Sequence, residues 1–343
     1  MTDPRTDAAT FSKALVTGGG GFLGRYVVEQ SLARGDEVTA FARGAYPELE
    51  AMGVRLVRGD LADADAVEAA CAGMDVVYHV ASKTGYWGPW DAFYQANVVG
   101  TQNVIAACRA NAVPKLVYTS TPSVVFGDQP HDGADESLPY PEHYENNYSR
   151  SKAIAERTVM GANGQDGLLT VSLRPHLIVG PRDRHLLPRI IARIGTGRVP
   201  QIGDGTNMVD LTYVEDAAHA HLLAAGALVP GSPAAGSVYF ITQGEPVNAW
   251  SWIDQLLRSL GRRTVRYRVP LWAARAACGL LEFAYRALPL PGEPLATRFL
   301  ANEIAMSHYY DISRAQHDLG YLPQFTMEEA TQRTIAYFRE ALT

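Results

Sequence analysis

Cysteine is scarce in this chain of 343 residues: Cys71, Cys108 and Cys278 are odd in number and far apart. They cannot build a disulfide framework or a zinc cage at the usual spacings, which fits a reducing compartment. An excess of positive charge is also missing. Thirty Lys and Arg against 36 Asp and Glu leave a net charge of −6, so no broad basic field exists to attract nucleic acid. No apolar run reaches the ~18 residues that a membrane span needs. The nearest to one, residues 271–288, is broken by Arg275, Glu282 and Arg286. The opening MTDPRTDAATFSKALVTG carries two aspartates and no apolar stretch, so it does not read as a secretory signal. His219 and His221, two apart on a helix, do not share a face, and no metal site is indicated. A soluble, cytoplasmic protein without a metal is expected.

What is present is an ordinary globular composition, 47% hydrophobic and 19% charged. The length predicts about two domains, at roughly 150 residues each. Short β-branched runs alternate with helical patterns. KALVT (13–17), EVTAFA (37–42), VRLVRGD (54–60), DVVYHVA (75–81), KLVYTS (115–120) and TVSLRPHLIVG (170–180) read as strands. Helices are expected from Gly21 to Arg34-Gly35, over 62–73, over 91–112 and over 148–160. Apolar strands separated by helices predict an α/β fold, a doubly wound parallel sheet covered on both faces. Residues 12–182 form the expected dinucleotide-binding domain, its sheet completed by parts of 209–242. Residues 183–343, rich in helices and prolines, form a smaller substrate-binding lobe.

Two motifs carry chemistry. The first strand runs into Thr17-Gly18-Gly19-Gly20-Gly21-Phe22-Leu23-Gly24, and a helix follows. Gly18 permits the tight turn, Gly21 lets backbone approach a pyrophosphate, and Gly24 lets helix and strand pack closely. The helix start at Phe22, Leu23 and Gly24 offers free N–H groups to phosphates. The second motif is YxxxK, Tyr148 to Lys152, four apart on one helical face. A phenol with a pKa of about 10 is too weak an acid near neutrality. A lysine cation beside it is expected to lower that value, and about three units correspond to roughly 4 kcal/mol.

The glycine spacing resembles TGxxGxxG of the short-chain dehydrogenase/reductase superfamily, and the chain length resembles its extended branch. The resemblance implies a Rossmann fold and a catalytic set of Tyr148, Lys152 and a hydroxyl after the fifth strand. Thr121 matches that hydroxyl best, with Ser120 and Ser123 as rivals. In members that prefer NAD an acidic residue ends the second strand; here Ala42 and Arg43 stand there, and Arg43 can pair with a 2′-phosphate. NADPH is therefore the expected cofactor. Asp60 resembles the residue that bonds the adenine, with Leu61 packing on the ring, although Asp equally favours a turn or N-cap. Ala81, in the segment His79–Ser82, ends the fourth strand beside the cofactor, and Lys83 follows it. Pro175, His176 and Val179 resemble the segment beside the nicotinamide. Asn97 resembles an asparagine that organises the proton relay; the other reading is an ordinary surface amide.

The resemblance extends through DISRAQHDLGYLP (311–323) and is strongest to the 3β-hydroxysteroid dehydrogenase-like group. Within it, AYPELEAMGVRLVRGDLAD (45–63), KTGYWGPWDAFYQANVVGTQNV (83–104) and VYTSTPSVV (117–125) are similar to the bacterial reductases of 2-alkyl-3-oxoalkanoic acids that serve long-chain olefin biosynthesis. This implies NADPH-dependent reduction of the 3-ketone to the 2-alkyl-3-hydroxy acid. Hydride passes to the ketone carbon, Tyr148 protonates the oxygen, Lys152 holds the tyrosine's charge and Thr121 fixes the oxygen. Two alkyl arms need an apolar channel, for which Tyr86, Trp87, Trp90, Phe93 and residues 271–288 are candidates; core packing is the alternative. Lys83, Arg182 and Arg184 are candidate cations for a substrate carboxylate. A homodimer through the helices flanking Asn97 and Tyr148 is implied, and the amphipathic 271–288 leaves room for peripheral contact with a membrane or a pathway enzyme. The rival readings are a 3β-hydroxysteroid-type dehydrogenase, a nucleotide-sugar epimerase or dehydratase, and a non-catalytic NADP-binding sensor.

Overall fold

A computed structural model describes residues 12–341 apart from 128, 198, 266 and 289. Most of the N-terminal stretch weighed above as a leader therefore lies outside the described residues. Seven strands build the main sheet: β1 (Lys13–Thr17), β2 (Glu37–Ala42), β3 (Arg55–Arg58), β4 (Val76–His79), β5 (Lys115–Thr119), β6 (Leu169–Pro175) and β7 (Ser237–Ile241). All are parallel, in the order β7-β6-β5-β4-β1-β2-β3. The order reverses between β1 and β4, and such a switch point opens a crevice at the carboxyl ends of the strands.

Alternation along the strands explains the two covered faces. Ala14, Val16, Tyr78 and Val117 pack into one core, while Leu15, Val77, Leu116 and Tyr118 pack into the other. Helix α1 (Phe22–Arg34) lies on the first face; α2 (Ala64–Cys71) and α3 (Gly100–Ala110) lie on the second. Further along come α4 (Asn147–Gly161), α5 (Leu186–Arg193) and α6 (Val214–Ala227), the last packed beside α1. Local chemistry sets the ends. Arg34 closes α1 before Gly35, whose φ of 97° places it in the left-handed region. Asp63 caps α2 by accepting from the Ala66 N–H at 3.1 Å, and Asn146 caps α4 by accepting from the Ser149 N–H at 2.7 Å.

Three elements differ from the sequence expectation. The helix expected over 91–112 contains a π segment, Tyr94–Val99, between Trp90–Phe93 and α3. One extra residue per turn leaves no mark on apolar spacing, and π segments favour functional sites. Of the region 209–242 expected to complete the main sheet, only Ser237–Ile241 does so, and the chain before it is divided between two other sheets. Met208–Val209 enters a second sheet with Val247–Asn248, His308–Tyr310 and His131–Ala134, whereas Thr212–Tyr213 pairs with Ile178–Val179. Buried Asp210 pins the chain where it changes partners, its carboxylate accepting from the Tyr310 N–H at 2.8 Å. Finally, α7 (Leu271–Ala287) turns its apolar row outward: Trp272, Leu280 and Phe283 are 74%, 73% and 70% exposed. Its inner side faces α8 (Arg298–Ala305), where Glu282 accepts from the Arg298 N–H at 2.7 Å.

One buried ion pair ties α4 to the sheet. Glu156 accepts from Arg174 of β6 at 2.7 and 3.0 Å, from the Tyr140 hydroxyl at 2.7 Å and from the Ser172 hydroxyl at 2.9 Å. Removing one partner strands the other charge in the interior. Arg174→Met should therefore cost about 3–5 kcal/mol, read as a lower urea midpoint. An unchanged midpoint would mean that Tyr140 and Ser172 suffice to satisfy Glu156.

Candidate active site

The glycine turn is closed by its own backbone. The Gly18 N–H donates to the Phe41 carbonyl and the Gly21 N–H to the Gly18 carbonyl, each at 2.8 Å. A Cβ on Gly24 would stand 2.2 Å from the Gly18 oxygen, and one on Gly18 would stand 2.8 Å from Ala81 Cα. Helix α1 then starts with no side-chain cap and no acidic residue in its first turn. The N–H groups at Phe22, Leu23 and Gly24 and the positive end of the helix dipole are left for a ligand. This cradle fits the pyrophosphate of a nicotinamide dinucleotide. Exposed Arg43 follows Ala42 at the end of β2, on the wall of the same cleft, with no ion-pair partner among the described residues. Asp60 and Leu61 are also on that wall, and Asp60 makes the turn bond as well, accepting from the Ala62 N–H at 3.0 Å.

The cleft widens into a cavity of about 1340 Å³ whose wall includes Thr119, Ser120, Thr121, Ser123, Tyr148 and Lys152. Tyr148, Lys152 and Glu156 follow one another at four-residue intervals on one face of α4. Lys152 is buried; its Nζ donates to the Thr119 carbonyl at 2.6 Å and stands 4.1 Å from the Tyr118 ring centre. Burial pulls the ammonium down to about 7, against the attraction of Glu156. The Tyr148 phenol moves the opposite way from the expectation. Burial pushes it up to about 12, outweighing a hydrogen bond with Thr121 that lowers it. Lys152 does not bring the phenol below its ordinary value, because its ammonium is engaged by the Thr119 carbonyl and the apolar wall penalises a phenolate.

Thr121 also begins the turn Pro122–Val124, accepting from the Ser123 N–H at 3.3 Å and lying 3.1 Å from the Ser123 hydroxyl. Of the three candidate hydroxyls it is the one whose proximity lowers the Tyr148 phenol. Asn97 is no surface amide: it is 2% exposed, within the π segment. Its Oδ1 accepts from the Lys83 N–H at 2.7 Å, and its Nδ2 donates to the Lys83 carbonyl at 3.0 Å and to the Ser151 hydroxyl at 2.9 Å. It thus joins the segment after β4 to the helix bearing Tyr148.

Not every candidate reaches the cleft. Pro175, His176, Ala81 and Lys83 do, but Val179 is fully buried in the lobe core with Leu187 and Tyr213, and Leu177 and Ile178 take its place on the wall. Arg182 is held by Glu29 at 2.7 and 2.8 Å, and Arg184 lies outside the cavity wall, so neither presents a cation to it. Lys83 reaches the wall with its Nζ 5.2 Å from the Phe93 ring centre. Arg189 and Arg193 do line the cavity, both within 3.3 Å of Glu293. Tyr86 lines it, while Trp87, Trp90, Phe93 and all of α7 do not. The apolar wall comes instead from α5, α8 and Trp252: Leu186, Ile190, Leu300 and Ile304. His221 is structural, set between the Thr119 hydroxyl and the Ala217 carbonyl at 2.7 Å each. Among the described residues no group of His, Cys, Asp and Glu could hold a metal.

A parallel sheet in this order, with a tyrosine–lysine helix facing a glycine cradle, defines an oxidoreductase of the extended short-chain dehydrogenase/reductase class, which uses a nicotinamide cofactor. More narrowly, the chain belongs to the 3-beta hydroxysteroid dehydrogenase/isomerase family, matched over residues 15–271. It is 48% identical over 324 residues to the 2-alkyl-3-oxoalkanoate reductase of Stenotrophomonas maltophilia, covering 94% of this chain and 98% of that one. The 2-alkyl-3-oxoalkanoate reductase of Shewanella oneidensis is 46% identical over 333 residues, with 95% and 86% covered. Among solved structures, the UDP-glucose 4-epimerase of Thermus thermophilus in complex with NAD is similar with a TM-score of 0.73 at 26% identity, covering 96% of this chain and 99% of that one.

Gly24→Ala forces a methyl against the Gly18 carbonyl and should weaken binding of the nicotinamide cofactor by more than about tenfold, or about 1.4 kcal/mol. Fluorescence titration with NADPH measures it. Wild-type affinity in the variant would show that the turn can shift without harm to the cradle.

Proposed function

We propose that this protein reduces the ketone of a 2-alkyl-3-oxoalkanoic acid to the 2-alkyl-3-hydroxyalkanoic acid with NADPH, as a step of long-chain olefin formation. The observation that carries the reading is the proton-bearing Tyr148 phenol, placed with Thr121 at the wall of a large cavity with an apolar lining. The names of the two bacterial relatives support the substrate class. In this reading residues 12–182 hold the cofactor and 183–343 the substrate, in a cytoplasmic homodimer.

A reduced nicotinamide, when bound, supplies the hydride. Thr121 and Tyr148 hold the ketone oxygen, and Tyr148 donates its proton as negative charge develops there. A phenol at about 12 keeps its proton throughout the neutral range, so it serves as an acid and favours the direction of reduction. Lys152, at about 7, is divided between charged and neutral forms near neutrality, and its ammonium stabilises the phenolate left behind. Asn97 positions the Tyr148 helix through Ser151. Arg43 and the absent acid at Ala42 support a 2′-phosphate on the cofactor.

Two outcomes test this. Tyr148→Phe should lower turnover of a 2-alkyl-3-oxo acid by about 10²–10⁴-fold, the worth of a general acid, while NADPH binding is kept; near-normal turnover would remove Tyr148 as the donor. NADPH should be oxidised faster than NADH, and Arg43→Ala should narrow the gap by the worth of a charge-assisted hydrogen bond, about 1.5–3 kcal/mol. Equal rates in the wild type would end the argument from Arg43. A sugar nucleotide that raised the melting temperature more than any keto acid would favour nucleotide-sugar chemistry instead.

A further inference from the structure

Glu303, on α8, lines the cavity wall next to Tyr86 and has no task in the chemistry of ketone reduction. The Tyr86 ring meets the Tyr148 ring edge-on at 6.4 Å and lies 5.0 Å from the Phe299 ring. Glu303 therefore stands one side chain away from the proton donor. The carboxyl carbon of a 3-oxo acid is two bonds from its ketone carbon, so whatever receives that carboxylate must be beside Tyr148.

The other polar groups at this end are already engaged. His308 Nε2 meets the Glu303 backbone carbonyl at 2.5 Å, an acceptor only, so that nitrogen carries the proton. Burial keeps His308 neutral, so its Nδ1, 3.0 Å from His176 Nε2, accepts from it. His176 Nδ1 is turned to the Asp210 carboxylate. Both imidazoles are thus fully bonded within the wall. Of the cations, Arg189 and Arg193 are paired with Glu293, Arg182 with Glu29, Lys152 is bound to the Thr119 carbonyl, and Lys83 has its Nζ 5.2 Å from the Phe93 ring centre. The Tyr86 hydroxyl stands beside the Glu303 carboxyl, which borders the cavity and has no cation paired with it among the described residues.

We propose that Glu303 is a specificity-determining residue that receives the substrate's carboxylate, donating a hydrogen bond from its carboxyl group in a shared-proton carboxyl pair. The proposal rests on the reading of the substrate as a 3-oxo acid. Two carboxyl groups at one site share a proton because both cannot ionise together. The setting favours the protonated form: burial pushes Glu303 up to about 7, with His176 and Tyr86 opposing. The groups facing this point are Tyr86, Tyr148, His176, His308, Tyr310 and Arg189, from the segment after β4, from α4, from the end of β6, from the second sheet and from α5. A neutral donor of this kind would discriminate a carboxylate from an alkyl group without adding a cation that draws water into an apolar cavity.

Titration calorimetry in the presence of NADP⁺ tests it, using a 2-alkyl-3-hydroxy acid and the matching secondary alcohol that lacks the carboxyl group. Glu303→Ala should weaken the acid by more than about tenfold and the alcohol by less than about twofold. Glu303→Gln, which keeps an N–H donor, should hold the acid within about threefold and abolish the loss of affinity that the wild type shows as pH rises through about 7. Equal losses for acid and alcohol, or none, would overturn the proposal while leaving ketone reduction intact. Failure of both ligands to bind, with no ketone reduced, would overturn the functional reading too. Stability gives a readout free of activity. The folded protein keeps the Glu303 proton between about 4.5 and 7 while the unfolded chain releases it, so this contribution to stability is full below 4.5 and is lost on the way to 7. The melting temperature of Glu303→Gln should fall less over that window; parallel curves would mean that Glu303 is ionised in the fold.

Discussion

The buried pair of Glu156 and Arg174 is the constraint on which the site depends. Hydrogen bonds from Arg174 and Ser172 to Glu156 draw α4 against β6, and the two residues that face the cleft, Tyr148 and Lys152, lie on the same helical face two turns and one turn earlier. A helix free to roll by a fraction of a turn would carry the phenol away from Thr121. The ion pair also supplies the nearest fixed charge to Lys152: Glu156 holds up an ammonium that burial would otherwise neutralise further. Asn97 works from the other side, linking Ser151 to the backbone of Lys83. The helix is thereby fixed both to β6 and to the segment after β4.

Desolvation then sets the protonation of the cleft, with opposite consequences for acids and bases. It raises the Tyr148 phenol and the Glu303 carboxyl and lowers the Lys152 ammonium, because in every case the charged form loses its water. The apolar lining of the cavity is thus also what keeps a proton on the tyrosine.

The same fold carries NAD in the UDP-glucose 4-epimerase of Thermus thermophilus, so architecture alone does not choose a substrate. The difference lies in the wall. Here α5 and α8 contribute Leu186, Ile190, Leu300 and Ile304, and the arginines on that side are paired with Glu293. A surface of that kind favours alkyl chains over a diphosphate.

The strands, the glycine turn and the Tyr148–Lys152 spacing were legible because each depends on a few neighbouring residues: alternation along a strand, backbone freedom at Gly18 and Gly24, and a four-residue step on a helix. The π segment at Asn97 was not legible, since one inserted residue leaves the apolar pattern unchanged. Val179, Arg182 and the apolar row of α7 have the composition of site residues yet face a core, a partner carboxylate and the exterior, and no local pattern tells these apart. Glu303 gave no signal at all, a single acid within an amphipathic helix more than 150 residues after Tyr148. The chain by itself thus determined the sheet, the cradle and the pairing of phenol with ammonium, all products of local periodicity. Only the tertiary structure decided which side chains meet in the cavity and which of them keep their protons, because burial and charge pairing arise between segments far apart along the chain.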